Sequence, residues 1–251
     1  IPVLIGFLFF TQFVPNYAWL VRIPFALTVG YGAGLTIPAV MEADSLVGDV
    51  VEILLPGATY VLGGALHFNA GADVTLVGDS PSSSIIDGND VDRVVVVHPG
   101  ATVEIQTLAI RNGLSNSGGG GGILNDGELL LDAVEVTENT VNTSFGNGGG
   151  ILNRKDLTLI NSTIALNEAL REGGGVSSSG PVATMSIRGS TISGNTAGLD
   201  AGGISAKGGV LEVVDSTIVN NITTGGGGTA GIFNDGSSFV ITNSIVSNPS
   251  G

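Results

Sequence analysis

The 251-residue sequence contains no cysteine and few charged or aromatic residues. Without cysteine, no disulfide can staple the fold or report on its compartment. Lysine occurs only at Lys155 and Lys207, which leaves arginine as the main cation. Charged residues make up only 12% of the chain, and 41 residues are glycine. That combination is typical of low-complexity sequence, but here 43% of the residues are hydrophobic. Together with the repeat described below, that fraction indicates a packed solenoid.

Positive charge is scarce, and the deficit is localised. The formal net charge is −14, and residues 1–40 contain a single charged side chain, Arg22. All 22 acidic residues, against seven of the eight basic ones, therefore fall in the remainder of the chain. Such a surface repels phosphate backbones, so we expect no nucleic-acid partner.

A repeat organises most of the chain. Three markers return together, namely a pair of apolar residues two apart, a Gly-Gly-Ile element and a closing Asn. The first members of the apolar pairs are separated by 28, 28, 26 and 28 residues. Self-similarity at one fixed period is typical of a solenoid. The pairs are Leu129/Leu131, Leu157/Leu159, Met185/Ile187, Leu211/Val213 and Phe239/Ile241.

Each repeat is predicted to form short strands rather than helices. Apolar and polar residues alternate, as in Leu157-Thr158-Leu159, and Gly-rich or short polar clusters separate the runs. Two or three such strands cannot bury their own apolar face, so each unit must stack on its neighbours. Stacking at roughly 4.8 Å per coil places the apolar pairs in internal columns. A second apolar column is expected at Ile123, Ile151, Val176, Ile204 and Ile232.

Polar positions are expected to align in the same way. Serines and the closing asparagines recur in register, and such ladders can satisfy buried turn groups. Because every coil carries one, we interpret the ladders as structural rather than as ligand contacts. The members are Ser162, Ser190, Ser216 and Ser244, and Asn139, Asn167, Asn195, Asn221 and Asn248.

These units resemble a known family. Two stretches, 148–167 and 190–197, are similar to the right-handed parallel β-helix repeats of bacterial surface proteins. The first contains Gly-Gly-Gly-Ile-Leu-Asn and Leu-Thr-Leu-Ile-Asn-Ser-Thr-Ile-Ala-Leu-Asn. The similarity is to the repeats of polymorphic outer-membrane proteins and of proteins with a CSLREA domain. The resemblance covers about residues 49–248, whereas the Cys-containing CSLREA signature is absent upstream. It implies an all-β, right-handed parallel β-helix of about seven coils over residues 41–251. For function, it implies a structural or adhesive role at the cell surface.

Residues 1–40 differ in composition from the rest and hold eight of the 13 aromatic residues. Two apolar runs flank Arg22, and about 20 apolar residues can span a bilayer as a helix. Four prolines interrupt the runs. We therefore consider a membrane anchor or hairpin, an uncleaved export signal, a hydrophobic cap on the end of the solenoid, and a segment that does not natively precede it.

Candidate chemistry is sparse. Asp87, Asp90 and Asp92, with Arg93 and Asp79 nearby, are the best candidates for a calcium site or for an acid/base pair. Asp-Gly-Asn-Asp is also an ordinary turn sequence, which we expect here. No other cofactor is indicated.

Two histidines, His67 and His98, lie about one coil apart without a carboxylate motif. We expect two exposed loop histidines rather than a metal or catalytic pair.

From residue 113 onward, one long loop per coil is expected on the same side. Loops collected on one face often bind a ligand, but insertions are also tolerated there most easily. The stretches are 114–122, 140–150, 168–175, 196–203 and 223–229.

The sequence favours a non-catalytic structural or adhesive module, extracytoplasmic at the cell surface or secreted, that binds a glycan or protein ligand. A carbohydrate-active enzyme is the first alternative and requires carboxylates on adjacent coils. An accessory subunit of a membrane complex, held through residues 1–40, is the second. The edge of the last coil also predicts end-to-end self-association.

Overall fold

The computed structural model describes residues 18–21, 50–225, 228–236 and 238–248. Every element in these residues is a β-strand, and together they form a parallel β-solenoid of about seven turns, which confirms the predicted all-β class. No helix within them has the length and hydropathy needed to cross a bilayer. Most of residues 1–40 lies outside the described residues, and with it the predicted membrane segment.

All strand pairs are parallel and belong to four sheets. Sheet 1 consists, in spatial order, of β1 (Ala18–Val21), β2 (Val50–Leu55), β5 (Asp73–Gly78), β8 (Thr102–Gln106), β12 (Glu128–Asp132), β16 (Asp156–Ile160), β20 (Thr184–Arg188), β24 (Val210–Val214) and β28 (Ser238–Thr242). Sheet 2 consists of β3 (Thr59–Val61), β6 (Ile85–Asp87), β9 (Ala109–Arg111), β13 (Glu135–Thr137), β17 (Thr163–Ala165), β21 (Thr191–Ser193), β25 (Thr217–Val219) and β29 (Ile245–Ser247).

Sheet 3 consists of β4 (Leu66–Phe68), β7 (Val95–Val97), β11 (Ile123–Asn125), β15 (Ile151–Asn153), β19 (Val176–Ser179), β23 (Ile204–Lys207) and β27 (Ile232–Asp235). Sheet 4 begins only in the third coil, with β10 (Leu114–Ser115), β14 (Thr140–Val141), β18 (Glu168–Ala169), β22 (Thr196–Ala197) and β26 (Ile222–Thr223). Each of these later coils passes through sheets 1, 2, 4 and 3 in turn.

The predicted apolar columns are confirmed. Leu129 pairs with Leu157, which pairs with Met185, and the column continues through Leu211 to Phe239. Ile151 and its partners line the opposite wall in sheet 3. Side chains in the middle of these columns are almost fully buried, and burying one large aliphatic side chain stabilises a fold by about 1.5–3 kcal/mol. Alternation along sheet 1 therefore generates the core.

The predicted polar ladders are confirmed as well. Ser190 Oγ accepts a hydrogen bond from the backbone N–H of Ser162 at 3.1 Å, and its neighbours repeat the contact. The buried asparagines are linked through their amides, from Asn139 Nδ2 to Asn167 Oδ1 at 2.9 Å and from Asn167 Nδ2 to Asn195 Oδ1 at 3.0 Å. Both ladders pair turn groups that water cannot reach.

The Gly-Gly-Ile element is required by the close approach of successive coils. A Cβ atom on Gly149 would lie only 2.5 Å from the carbonyl oxygen of Glu168, and one on Gly150 only 2.7 Å from that of Gly175. Any side chain here would push the coils apart. The glycines therefore recur because backbone packs on backbone at this corner.

Sheet 4 was not predicted. Four of the five stretches interpreted as loops start with a two-residue strand, and the last starts at the second residue of β26; these strands pair from coil to coil, as Thr140 does with Glu168. Each such stretch is thus a short strand followed by a shorter loop. This pairing fixes where those loops leave the solenoid.

Within residues 1–40 the structure describes one element, the strand β1. It pairs in parallel with β2, with Ala18 opposite Val50 and Val21 opposite Ile53. Pairing of this kind would cover the first edge of sheet 1, as expected of a hydrophobic cap.

Candidate functional site

The predicted carboxylate cluster forms the turn that follows β6, an interior strand of sheet 2. Asp87 is buried, and its Oδ2 accepts hydrogen bonds from Arg111 Nε at 3.0 Å and Asn112 Nδ2 at 2.9 Å. Its Oδ1 accepts one from the backbone N–H of Asn89 at 2.9 Å. Asp90 is exposed, with φ at 54°. Both Asp87 oxygens are thus already engaged within the chain.

The remaining candidates point to separate partners. Asp92 Oδ1 accepts a hydrogen bond from the backbone N–H of Arg93 at 2.8 Å, and Asp79 Oδ2 accepts one from that of Gly57 at 2.7 Å. Among the residues that the structure describes, no three His, Cys, Asp or Glu side chains are grouped so that they could hold a metal ion. The geometry favours the turn that the sequence led us to expect over a calcium site or an acid/base pair.

Asp87 is held as an anion. Burial by itself raises the pKa of this carboxyl, but the Asn89 N–H, the Asn112 amide and the Arg111 guanidinium outweigh burial and lower the pKa below its ordinary value. A depressed pKa suits a structural ion pair and not a general acid.

The outer face of sheet 1 carries carboxylates whose spacing decides whether the chain could cleave glycosidic bonds with a carboxyl pair. Its middle column runs through Glu52, Thr75, Glu104, Leu130, Thr158, Ser186 and Glu212. Two coil steps separate Glu52 from Glu104 and four separate Glu104 from Glu212, or about 10 Å and 19 Å at the ordinary strand spacing. The paired carboxyl groups of glycoside hydrolases stand about 5–10 Å apart, so within this column Glu52 and Glu104 reach only the upper limit of that range, and no two of its carboxylates lie on adjacent coils.

The first outward column of sheet 1 does bring two carboxylates together. Glu128 is directly opposite Asp156 on the next coil. Lys155 Nζ lies 3.1 Å from Asp156 Oδ2, and Thr184 Oγ1 donates a hydrogen bond to Asp156 Oδ1 at 2.6 Å. This group was not predicted from the sequence, although the 28-residue period applied to Glu128 places Asp156 beside it.

Asp156 is also held ionised. Burial raises the pKa of its carboxyl, but hydrogen bonds from Thr184 and Lys155 and the charge of Lys155 outweigh it, so the pKa is lowered. Lys155 also compensates the repulsion expected between two directly opposed acids. In a catalytic pair, Asp156 would act as the base or nucleophile and Glu128 as the acid.

A third charged group fastens a loop to the outside of sheet 3. Glu172 is buried; Lys207 Nζ lies 2.7 Å from its Oε2, and Arg171 Nε lies 3.4 Å from its Oε1. Ser205 Oγ donates a hydrogen bond to Oε2 at 3.3 Å. Lys207 also lies 5.5 Å from the centre of the Phe233 ring. A buried carboxylate with this many donors is satisfied, and we interpret it as a clamp on residues 170–175.

The two histidines do not behave as expected. His67 in β4 is exposed and His98, just after β7, is half-buried, yet Nδ1 of His67 lies 3.0 Å from Nε2 of His98. The expectation of two exposed loop histidines is wrong, because His67 lies in a strand, His98 is half-buried, and the pairing of β4 with β7 brings the two rings together.

The loops that follow sheet 4 expose large apolar side chains. Phe145, Leu170 and Leu199 are 80%, 45% and 50% exposed, and each follows a sheet 4 strand in a different coil. The loop backbones are tied from coil to coil, as by the hydrogen bond from Leu199 N to Arg171 O at 2.7 Å. We call these three side chains the apolar loop side chains. They lie along one side of a rigid scaffold.

No family model, curated protein or solved structure matches this chain. Its class therefore rests on the fold, which is that of a parallel β-solenoid built from β-helix repeats.

Proposed function

We propose that the chain is a non-catalytic structural and adhesive module that acts outside the cytoplasm, at a cell surface or after secretion. The observation that carries the proposal is the row of apolar loop side chains, which three successive coils of the solenoid present on one side. Its ligand is a surface glycan or a protein. The resemblance to the repeats of bacterial surface proteins supports the same role.

The physical support is the contrast between scaffold and loops. Buried amide and hydroxyl ladders and backbone packing at the Gly-Gly corner hold the coils in one register. Phe145, Leu170 and Leu199 remain exposed to water on one side. Covering exposed apolar side chains with a ligand is favourable, and a scaffold that is already ordered loses little conformational entropy on binding.

The test is binding to panels of immobilised glycans and surface proteins. A triple variant with Phe145→Ser, Leu170→Ser and Leu199→Ser should lose at least tenfold in affinity for any ligand that the unaltered chain binds. Val182→Ser is the matched control, since Val182 is 66% exposed but lies between sheets 3 and 1. Equal binding by the triple variant would place the ligand elsewhere and refute the role given to these loops.

A carbohydrate-active enzyme is the second candidate, and Glu128 opposite Asp156 is the observation that favours it. Paired residues on adjacent coils stand roughly 4.8 Å apart, close to the separation of about 5–5.5 Å between the carboxyl groups of retaining glycosidases. The test is release of reducing or unsaturated ends from a panel of acidic and neutral polysaccharides. Activity that Glu128→Gln abolishes would replace the adhesive proposal with an enzymatic one.

Residues 1–40 are proposed to hold the module to a membrane or to a membrane complex. Their composition supports this proposal, with two apolar runs around one charge. Alkaline carbonate and detergent extraction of the native source, followed by sizing, tests it. Release by carbonate as a free soluble chain would contradict both anchoring and membership in a membrane complex.

A further inference from the structure

The only two histidines of the sequence meet on the outer face of sheet 3. β4 pairs with β7 so that His67 is opposite Val96. His98 follows Val96 by two residues and therefore belongs to the same face, as a diagonal neighbour of His67. The two rings are nearly parallel, at 19°, with centroids 5.3 Å apart.

The backbone on both sides of the pair is fixed. Phe68 and Val97, which follow His67 and precede His98, are buried in the core. The backbone N–H of His98 donates to the carbonyl oxygen of Phe68 at 2.9 Å. The separation of the two Cα atoms is therefore set by the solenoid and not by flexible loops.

We propose that His67 Nδ1 and His98 Nε2 bind one late first-row divalent ion, with Cu²⁺ held most tightly and Ni²⁺ and Zn²⁺ more weakly. Metal–nitrogen bonds are about 2.0–2.1 Å long, so two nitrogens sharing an ion stand at most about 4 Å apart. The observed 3.0 Å lies inside that limit. Imidazole nitrogen suits these ions, and their affinities follow the order stated.

The surroundings permit such an ion. His67 is exposed, so its ring can turn until both nitrogens face one ion, with water completing the coordination shell. When the ion binds, the proton in the hydrogen bond between the two rings moves to the other nitrogen of the imidazole that carries it, or to solvent. The next coil places Asp126 directly after β11, where it pairs with Arg154 at 3.4 Å. The net charge of −14 also favours a cation.

The test is titration of the untagged chain with Cu²⁺ by calorimetry, joined to electron paramagnetic resonance of the frozen complex. We expect saturable one-to-one binding and a spectrum with coupling to the nitrogens of two imidazoles. His67→Asn and His98→Asn should each weaken binding at least tenfold, and binding should fall as protons compete at lower pH.

Glu135→Gln removes an exposed carboxylate from β13 in sheet 2, whereas the histidines lie on sheet 3, and serves as the control for weak binding by acidic groups. It should bind Cu²⁺ as the unaltered chain does. Circular dichroism of each variant checks the fold, and the exposed position of His67 makes His67→Asn the decisive variant. Unchanged Cu²⁺ affinity in that variant, or a spectrum with oxygen ligands alone, would overturn the proposal.

Discussion

Replacing Asn167 by alanine tests the buried amide ladder directly. Asn167 is 1% exposed. Its Oδ1 accepts hydrogen bonds from the backbone N–H of Asn139 at 3.0 Å and from Asn139 Nδ2 at 2.9 Å. Its Nδ2 donates to Val136 O at 2.9 Å and to Asn195 Oδ1 at 3.0 Å. Alanine removes all four bonds.

The loss in the free energy of unfolding depends on which partners of Asn167 keep another hydrogen bond in the variant. Asn139 Nδ2 retains the carbonyl oxygens of Thr137 and Ile110, and Asn195 Oδ1 retains the backbone N–H of Asn167. The backbone N–H of Asn139 loses its partner and stays buried. An unsatisfied buried donor costs about 1–3 kcal/mol, and each other lost bond about 0.5–1.5 kcal/mol. One unsatisfied donor and three other lost bonds together give an expected loss of about 2.5–7.5 kcal/mol in the free energy of unfolding.

The assay is urea unfolding combined with hydrogen exchange of peptides from the coils around Asn167, since a solenoid can open locally. Asn142→Ala removes the same atoms from an exposed loop position and should cost less than about 0.5 kcal/mol. Asn167→Asp keeps the shape but turns the Nδ2 donor into an acceptor that faces two oxygens, so it should cost at least as much. If Asn167→Ala were as stable as Asn142→Ala, the ladder would not contribute as described.

Three further predictions concern stability. Leu159→Asp would bury an unpaired charge in the core and should unfold the neighbouring coils, with a loss of melting temperature that Thr158→Asp, on the outer face of the same strand, should not show. Gly149→Ala should destabilise by about 2 kcal/mol or more, whereas Gly63→Ala, where a Cβ atom meets nothing within 4 Å, should be near neutral in the same denaturant assay. For Asp87, whose folded pKa is lowered, the stabilisation is present above the unfolded pKa of about 3.9 and is lost as pH falls through the folded pKa. Asp87→Asn should therefore lower the free energy of unfolding by about 1–3 kcal/mol at pH 7. This difference between the unaltered protein and the variant should shrink in acid, and a difference that stayed the same would contradict the ion pair.

The sequence predicts the apolar columns and both ladders because their side chains recur with the period. Only stacking of the coils can bury the side chains that recur with this period, such as Leu157, Leu159 and Asn167. Alternation along a strand then decides which side chains face inward and which face outward. Fold class and register follow from those two facts.

Sheet 4 could not be predicted, since a two-residue strand such as Thr140–Val141 is too short to show alternation. The histidine pair was missed for a related reason. β4 and β7 are offset by 29 residues and the histidines by 31, so they appear unaligned until the diagonal position is considered. Asp87 remained a candidate metal ligand beside the expected turn because the sequence does not show that Arg111 and Asn112 already bind its carboxylate.

Every site described above depends on each coil lying directly over the previous one. Thr163 and Thr191 are paired on the outer face of sheet 2, and because the chain has no cysteine, two introduced cysteines have no competitor. Their Cα atoms should stand roughly 4.8 Å apart, within the range of about 4.4–6.8 Å that a disulfide needs. Mild oxidation should therefore cross-link the Thr163→Cys/Thr191→Cys variant quickly, while Thr163→Cys/Thr217→Cys, two coils apart, should stay reduced. A first variant that stays reduced, or a second that cross-links equally fast, would contradict the in-register solenoid.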